Sequence, residues 1–348
     1  MSDFTAPVLV TGGTGYLASW IVAQLLAAGA TVHTTVRDPA KKDRFRHLTE
    51  AAEKSPGLLK VFAADLLTPG SFAEAMQDCT VVMHTASPFI TSGVKDPQKE
   101  LIDPALLGTR QVLETVNAQP QVERVVLTSS VVAINGDADE LKGKSGGMFT
   151  ENDWNETSSL SHQPYAYSKT LAEKEAWKIH DAQSRWQMSV INPGFILGPS
   201  LTSRGDSASI EFMRKMANGT FRSGVPRLEM GLVDVRDVAR AHLQAALKGS
   251  NGRHILVAQS MDMWEIAQVL KSRFGKTYPL PMMAAPKLLL YILGPAQGLT
   301  WGFINKNVGL PLRYDNTRSQ QQLDLKYRPL ADTLVEQIEQ LDRDKLLK

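Results

Sequence analysis

Val8-Leu9-Val10-Thr11-Gly12-Gly13-Thr14-Gly15-Tyr16-Leu17-Ala18 opens on three apolar residues, passes through glycines and small polar residues, and enters a helical pattern. A strand that ends in a glycine-rich turn and feeds a helix can bring backbone amides close to a pyrophosphate. Glycine puts no side chain in the way, and a helix N-terminus favours an anion. Gly12, Gly15 and Ala18 give the spacing GxxGxxA, whose small third residue lets the helix pack on a sheet; Thr14, Tyr16 and Leu17 complete the turn. Such a turn alone also serves as plain structure in α/β proteins, so the surrounding pattern decides.

That pattern is a repeat of strand and helix. Short apolar runs at 8–11, 31–36, 59–63, 81–84, 125–128, 188–191 and 254–257 read as buried strands. Between them, 18–28, 104–118 and 165–182 place apolar residues at helical spacing. Strand and helix in alternation predict a parallel, doubly wound sheet with helices on both faces. After Asn192-Pro193-Gly194 the punctuation thickens, with Gly198-Pro199, Gly205, Gly219, Gly224 and Pro226, and a second lobe is expected to begin. The run 232–238 is expected to start a helix that returns to the main domain. The predicted division is 1–195 plus 233–260 for the dinucleotide domain and 196–232 plus 261–348 for a discontinuous substrate lobe.

Composition narrows the function classes. With 348 residues, 43% hydrophobic and 21% charged, the chain can bury a large core. Its 38 basic and 36 acidic residues leave a net charge of +2 without a basic stripe, so no nucleic-acid partner is expected. Cys79 is the sole cysteine, which excludes an internal disulfide and a thiolate metal cage, and it reads as a small core residue. The seven histidines show no metal-ligand spacing, so no metal site is expected. The first residues lack the charged start and long apolar stretch of a signal peptide, and a cytoplasmic location is expected. The stretch 288–304 carries no formal charge, but Gly294-Pro295 cuts it into halves too short to span a bilayer. A buried or ligand-facing lobe helix is expected there instead of membrane contact, with Met282-Met283 and Trp264 as lobe packing.

The chemistry is carried by Tyr165 and Lys169, a YxxxK pair at the start of a helical pattern, thirty-five residues after the Thr128-Ser129-Ser130 strand end. A phenol with an ordinary pKa of about 10 is a neutral acid near pH 7, and a nearby cation is expected to lower that value. Lys169 lies one helical turn on, where its ammonium can approach the phenol and also hold nicotinamide ribose hydroxyls. Ser130, at the end of the fifth strand, can donate to a substrate oxygen. Tyr167, two residues before Lys169, is expected to face elsewhere.

The second strand ends in Val36 and Arg37, with Lys41, Lys42 and Arg44 nearby. A cation there accommodates a ribose 2′-phosphate, whereas an acid would hold the 2′-hydroxyl; NADPH is therefore expected, although Asp38 offers a carboxylate beside Arg37. Asp65 and Leu66 close the third strand, where the carboxylate can accept from the adenine amino group. His84-Thr85-Ala86-Ser87 closes the fourth, with small residues against which a cofactor can lie, and Thr128 closes the fifth.

These motifs resemble the extended short-chain dehydrogenase/reductases, and within them the group of dihydroflavonol 4-reductase, cinnamoyl-CoA reductase and yeast methylglyoxal/isovaleraldehyde reductase. The resemblance covers nearly the whole chain. It rests on TGGTGYLA, VRDP at 36–39, HTASP at 84–88, LTSS at 127–130, YAYSKTLAEKEAW at 165–177, NPGFILGP at 192–199 and DVRDVARAH at 234–242. It implies a Rossmann-type fold and NADPH-dependent reduction of an aldehyde or ketone by a Ser130, Tyr165 and Lys169 triad, with Ser129 structural. It also implies that Pro193 and Ile196 flank the nicotinamide, that Arg37 and Arg44 hold the 2′-phosphate, and that Asn135 forms a polar wall. Gln163-Pro164-Tyr165-Ala166-Tyr167 departs from the cinnamoyl-CoA reductase pattern, and Glu229-Met230-Gly231 stands where flavonoid reductases present glutamines. A smaller or more apolar carbonyl compound is expected.

Substrate is thus expected against Phe89, Ser130, Asn135 and Tyr165, on a protein that is a monomer or homodimer. Two other readings remain open: a nucleotide-sugar epimerase or dehydratase that retains NAD, and an NADPH-binding sensor without turnover.

Overall fold

Each of the seven apolar runs becomes a strand, and a short second sheet joins them. The computed structural model describes residues 4–87, 94–202, 205, 207–295 and 298–347. In chain order the strands are β1 Val8–Val10, β2 Thr31–Val36, β3 Leu58–Ala63, β4 Val81–His84, β5 Arg124–Thr128, β6 Gln187–Pro193, β7 Phe195–Leu197, β8 Glu229–Asp234, β9 Gly252–Leu256 and β10 Gln259–Asp262. The helices are α1 Tyr16–Ala27, α2 Arg46–Glu53, α3 Ala73–Met76, α4 Asp103–Ala118, α5 Pro164–Asp181, α6 Ala208–Ala217, α7 Val235–Lys248, α8 Met263–Phe274, α9 Lys287–Leu293, α10 Trp301–Asn307, α11 Thr317–Gln322 and α12 Leu330–Arg343.

Seven strands form one sheet in the order β3-β2-β1-β4-β5-β6-β9, every neighbouring pair parallel. This is the Rossmann-type doubly wound arrangement. Alternating side chains reach opposite faces of a strand, and both faces are covered. Val8, Val10 and Met83 pack with Ile21 and Leu25 of α1 and Val238 and Ala245 of α7. Leu9, Val82 and Val125 pack instead with Val112 and Leu113 of α4 and Ala176 of α5. Cys79 is buried in that second cluster, the core position expected of it.

The order reverses at β1, since the chain runs outward through β2 and β3 and then restarts on the other side with β4. Ligands of open α/β sheets bind at such a switch, beyond the carboxyl ends of the strands. Both the glycine turn after β1 and the His84-Thr85-Ala86 end of β4 lie there.

Three corrections concern the second half of the chain. The run 232–238 is not all helix: Leu232, Val233 and Asp234 end β8, and α7 starts at Val235 with Asp234 as its cap, accepting from the Arg236 amide at 2.7 Å. A second sheet, β10-β8-β7, has β10 antiparallel and β7 parallel to β8, and the hydrophobic cluster against it draws Ile210, Met213, Ile266, Leu334 and Ile338 from α6, α8 and α12. Within 288–304, expected to be a buried or ligand-facing lobe helix, α9 has no buried residue, and Met282 and Met283, expected as lobe packing, are exposed. Trp264 does pack partly buried against the lobe cluster.

Candidate functional site

The glycine turn is held by side chains on both neighbouring strands. Thr11 Oγ1 accepts from the amides of Thr85 and Ala86, each at 3.1 Å, so its own proton goes to His84 Nδ1 at 2.9 Å. Neutral His84 therefore carries its hydrogen on Nε2, and burial, with Lys169 nearby, pushes its pKa down to about 3. Gly12 has φ +70°, and a Cβ there would lie 3.0 Å from Ala86 Cβ. At Gly13 a Cβ would meet Thr34 Oγ1 at 2.1 Å. Only glycine lets the turn pass so close to β2 and β4.

A dinucleotide fits this cradle. The N-cap of α1 is Gly15, which supplies no capping side chain, and the first turn holds no acid. Unsatisfied first-turn amides of a twelve-residue helix thus face the switch point, where they favour an anion. The side chains of two expected cofactor residues are committed elsewhere. Tyr16 donates its hydroxyl to Gly198 O at 2.6 Å, and Leu17 is buried in the core, so only their amides can serve an anion.

At the end of β2, Arg37, Lys41 and Arg44 are all exposed. Asp38 pairs with Lys41 at 3.1 Å and accepts from the Ala40 amide at 3.0 Å. The Lys41 bond holds its carboxyl below the usual range. Arg37 and Arg44 make no ion pair with another described residue. Asp65 uses Oδ1 to accept from the Leu67 amide at 2.8 Å, shaping the turn after β3.

One cavity brings several of the expected residues to a common wall: Leu66, Ala86, Ser87, Thr128 and Lys169, together with His84, Ser129 and Glu173. Lys169 donates to Thr128 O at 3.3 Å, which ties α5 to the end of β5. Ser130 caps the short turn Val131–Ala133, accepting from Val132 N at 3.3 Å and lying 3.5 Å from Pro193 O. Pro193 ends β6 and Ile196 lies in β7. Tyr165 follows Pro164 in the first turn of α5, whose N-cap Gln163 takes φ +54° and donates to Gly136 O and to Asp137 Oδ1, the latter at 2.7 Å.

The titration of the pair differs from expectation. Burial pushes the Tyr165 phenol up to about 12, not down, and pushes Lys169 down to about 8, while Glu173 opposes that fall. Desolvation penalises whichever form is charged, and here it outweighs the attraction anticipated from spacing alone.

Sequence reasoning missed the frame beneath these residues. Glu173, 1% exposed, accepts from Ser129 Oγ, from Asn192 Nδ2 at 2.8 Å and from Arg253 Nε at 2.6 Å. Arg253, itself 6% exposed, also donates to Glu151 O, Asp153 O and Ala133 O, and stacks 3.9 Å above the Trp154 ring centre. Glu173 stands four residues after Lys169 and eight after Tyr165, so one helix face carries all three. That spacing was the available signal. Ser129, for which the resemblance implied a structural role, donates its hydroxyl to Glu173. Asn135 is buried, its Oδ1 accepting from Tyr314 Oη at 2.8 Å, a partner that the sequence did not reveal. Phe89 lies outside the described residues.

Comparison with known proteins adds a family and relatives. Residues 8–258 match the model of the NAD dependent epimerase/dehydratase family. A cinnamoyl-CoA reductase, CAD2 of Medicago truncatula, is 34% identical over 344 residues, covering 97% of this chain and 96% of the relative. An anthocyanidin reductase of Vitis vinifera is 36% identical over 284 residues, covering 78% of this chain and 82% of its own length. Among solved structures, yeast methylglyoxal/isovaleraldehyde reductase Gre2, complexed with NADPH, superposes with a TM-score of 0.77 at 26% identity over 98% of this chain and 100% of that one.

Proposed function

We propose that this chain, which belongs to the NAD dependent epimerase/dehydratase family, reduces an aldehyde or ketone to an alcohol with NADPH. The observation that carries this reading is the meeting of Lys169, Thr128, Ser87 and Ala86 in one cavity beside an uncapped helix start, with Tyr165 one turn before Lys169. Reductases among the similar proteins, one of them a complex with NADPH, support it.

The bound nicotinamide would supply a hydride to the carbonyl carbon; the chain's residues do the rest. Gly12, Gly15 and the Thr14, Tyr16 and Leu17 amides cradle the pyrophosphate, and Arg37 and Arg44, helped by Lys41, hold the 2′-phosphate. Asp65 and Leu66 border the adenine, Thr85, Ala86, Ser87 and Thr128 line the path, and Pro193 and Ile196 flank the nicotinamide. Ser130 and Asn135 orient the substrate oxygen and its neighbours. A phenol whose pKa stands near 12 remains protonated at neutral pH, so Tyr165 is a donor in the reductive direction. Its proton goes to the oxygen as negative charge develops there. We assign 1–195 and 233–260 to the dinucleotide half and 196–232 and 261–348 to the substrate lobe.

Purified protein should oxidise NADPH in the presence of short aldehydes, ketones or diketones, followed by the loss of nicotinamide absorbance. Tightly copurified NAD with no NADPH oxidation across that panel would instead favour an epimerase or dehydratase, and NADPH binding without turnover would favour a sensor. Arg37→Ala should raise the KM for NADPH by about tenfold or more, the worth of one charged hydrogen bond to phosphate, and leave that for NADH unchanged. An equal effect on both cofactors would remove Arg37 from the 2′-phosphate.

The pH dependence has a definite sign. Lys169 is an ammonium below about 8 and neutral above it, while Tyr165 keeps its proton throughout that range. Reduction should therefore be level below pH 8 and fall about tenfold per unit above it, as expected for one essential acid. In Lys169→Arg that alkaline limb should disappear, because guanidinium stays charged. A wild-type profile that rises through pH 8 would contradict the assignment.

A further inference from the structure

The apolar stretch expected to be buried or ligand-facing holds much of the exposed apolar surface among the described residues. Of the thirteen large hydrophobic side chains exposed among the described residues, seven fall between 282 and 301. On α9, Leu288, Leu289, Ile292 and Leu293 lie on one side by helical spacing, and that side is the outward one, with Leu288 at 73% and Ile292 at 69% exposure. A surface helix normally presents its polar face to water; this one is inverted. Trp301, 63% exposed, extends the face from α10, and its indole N–H is already satisfied by Tyr291 O at 2.9 Å. The ring can therefore leave water without stranding a donor.

Charge identifies the occupant. Between residues 276 and 314 the chain has four cations and no carboxylate. Lys306 is tied to Asp137 and Arg313 to Glu229. Lys276 is exposed, and Lys287 donates only to backbone carbonyls, to Val308 O at 2.9 Å, which leaves its charge uncompensated by an acid. A second copy docked on the same face by a twofold axis would bring Lys276 and Lys287, which have no acid partner among the described residues, towards their own counterparts. An anionic lipid surface meets both features, accepting apolar side chains below its headgroups and ammonium groups among them.

We propose that α9 and the adjoining Trp301 dock the protein on the surface of an anionic bilayer, with the helix lying in the interface. It does not cross: α9 is seven residues long and ends at Gly294-Pro295, and no described helix is long and apolar enough to span a membrane. This inference is independent of the reductase reading, since it is read by binding alone.

The test is cosedimentation of the full chain with phosphatidylcholine vesicles and with vesicles containing phosphatidylglycerol at about a third of the lipid. The wild type should pellet with the anionic vesicles and much less with the neutral ones. Leu288→Asp/Ile292→Asp should lower the bound fraction about tenfold or more while preserving the melting temperature, because both positions are on the surface. Wild type left in the supernatant with both vesicle types overturns the proposal, as does a double variant that pellets like wild type. Equal binding to neutral and anionic vesicles overturns the charge argument. A concentration-dependent dimer dispersed by the double variant, without vesicle binding, transfers the face to a second copy.

Discussion

Tyr165→Phe should lose roughly a hundred- to ten-thousandfold of its carbonyl-dependent NADPH oxidation, the span typical of removing a positioned proton donor. The substitution deletes one oxygen and keeps the ring, so α5 and its first turn should remain in place. Cofactor affinity should change little, because the glycine turn, the α1 amides and the end of β2 are untouched. The measurement is kcat and kcat/KM with a reactive aldehyde, beside NADPH affinity by fluorescence titration. A fall in both kinetic quantities at unchanged affinity indicates an interaction made in the transition state. Undiminished turnover would eliminate Tyr165 as the acid. Lys169→Met offers a contrast, since it should weaken both turnover and cofactor binding if the ammonium holds the ribose.

The direction of the phenol's shift sharpens this expectation. At about 12, Tyr165 is a poor base at neutral pH in the arrangement described, so oxidation of the alcohol should be slower than reduction at pH 7 and should gain with rising pH. Spacing alone could not supply that, because the cation's attraction and the cost of desolvation act in opposite directions. Only the degree of burial decides between them.

Legibility followed physical context. Six of the seven strands of the main sheet are largely buried, so they are written as apolar runs that need no partner to be recognised, and the edge strand β3, which has no buried residue, still carries enough apolar residues to be read. Gly12 and the His84-Thr85-Ala86 strand end were readable because close backbone approach demands small residues at fixed places. The lobe sheet was not: β7 has three residues, and β8 carries Gly231, where Tyr314 and Val257 press close. Apolar content predicted a buried or ligand-facing helix for 288–304, but hydrophobicity records only what a segment prefers to leave. It does not say whether protein is available to cover it. Tyr314 and Asn135, 179 residues apart, form a bond that no local pattern encodes.

The same is true of Glu173 and Arg253, eighty residues apart, whose separation should yield the largest stability effect in the molecule. Glu173→Leu should cost about 3–5 kcal/mol, the range for breaking a buried pair and leaving one charge uncompensated. Ser129, Asn192 and Arg253 all lose their acceptor at once, and Arg253 retains only carbonyls and the Trp154 face. Denaturant midpoints of Glu173→Leu, Arg253→Met and the double variant form a cycle. The double should be less destabilised than the sum of the singles, because removing both charges abolishes the desolvation that each single variant leaves unpaid. Additive losses would mean that the two groups act separately. Turnover should follow a different course: Asn192 also donates to Ser130 O at 3.2 Å, and Ser129 adjoins Ser130. Even the double variant, with its smaller loss of stability, should then show a lowered kcat with an unchanged KM for NADPH, since the substrate-orienting end of β5 has lost its tether to the helix that carries Tyr165 and Lys169.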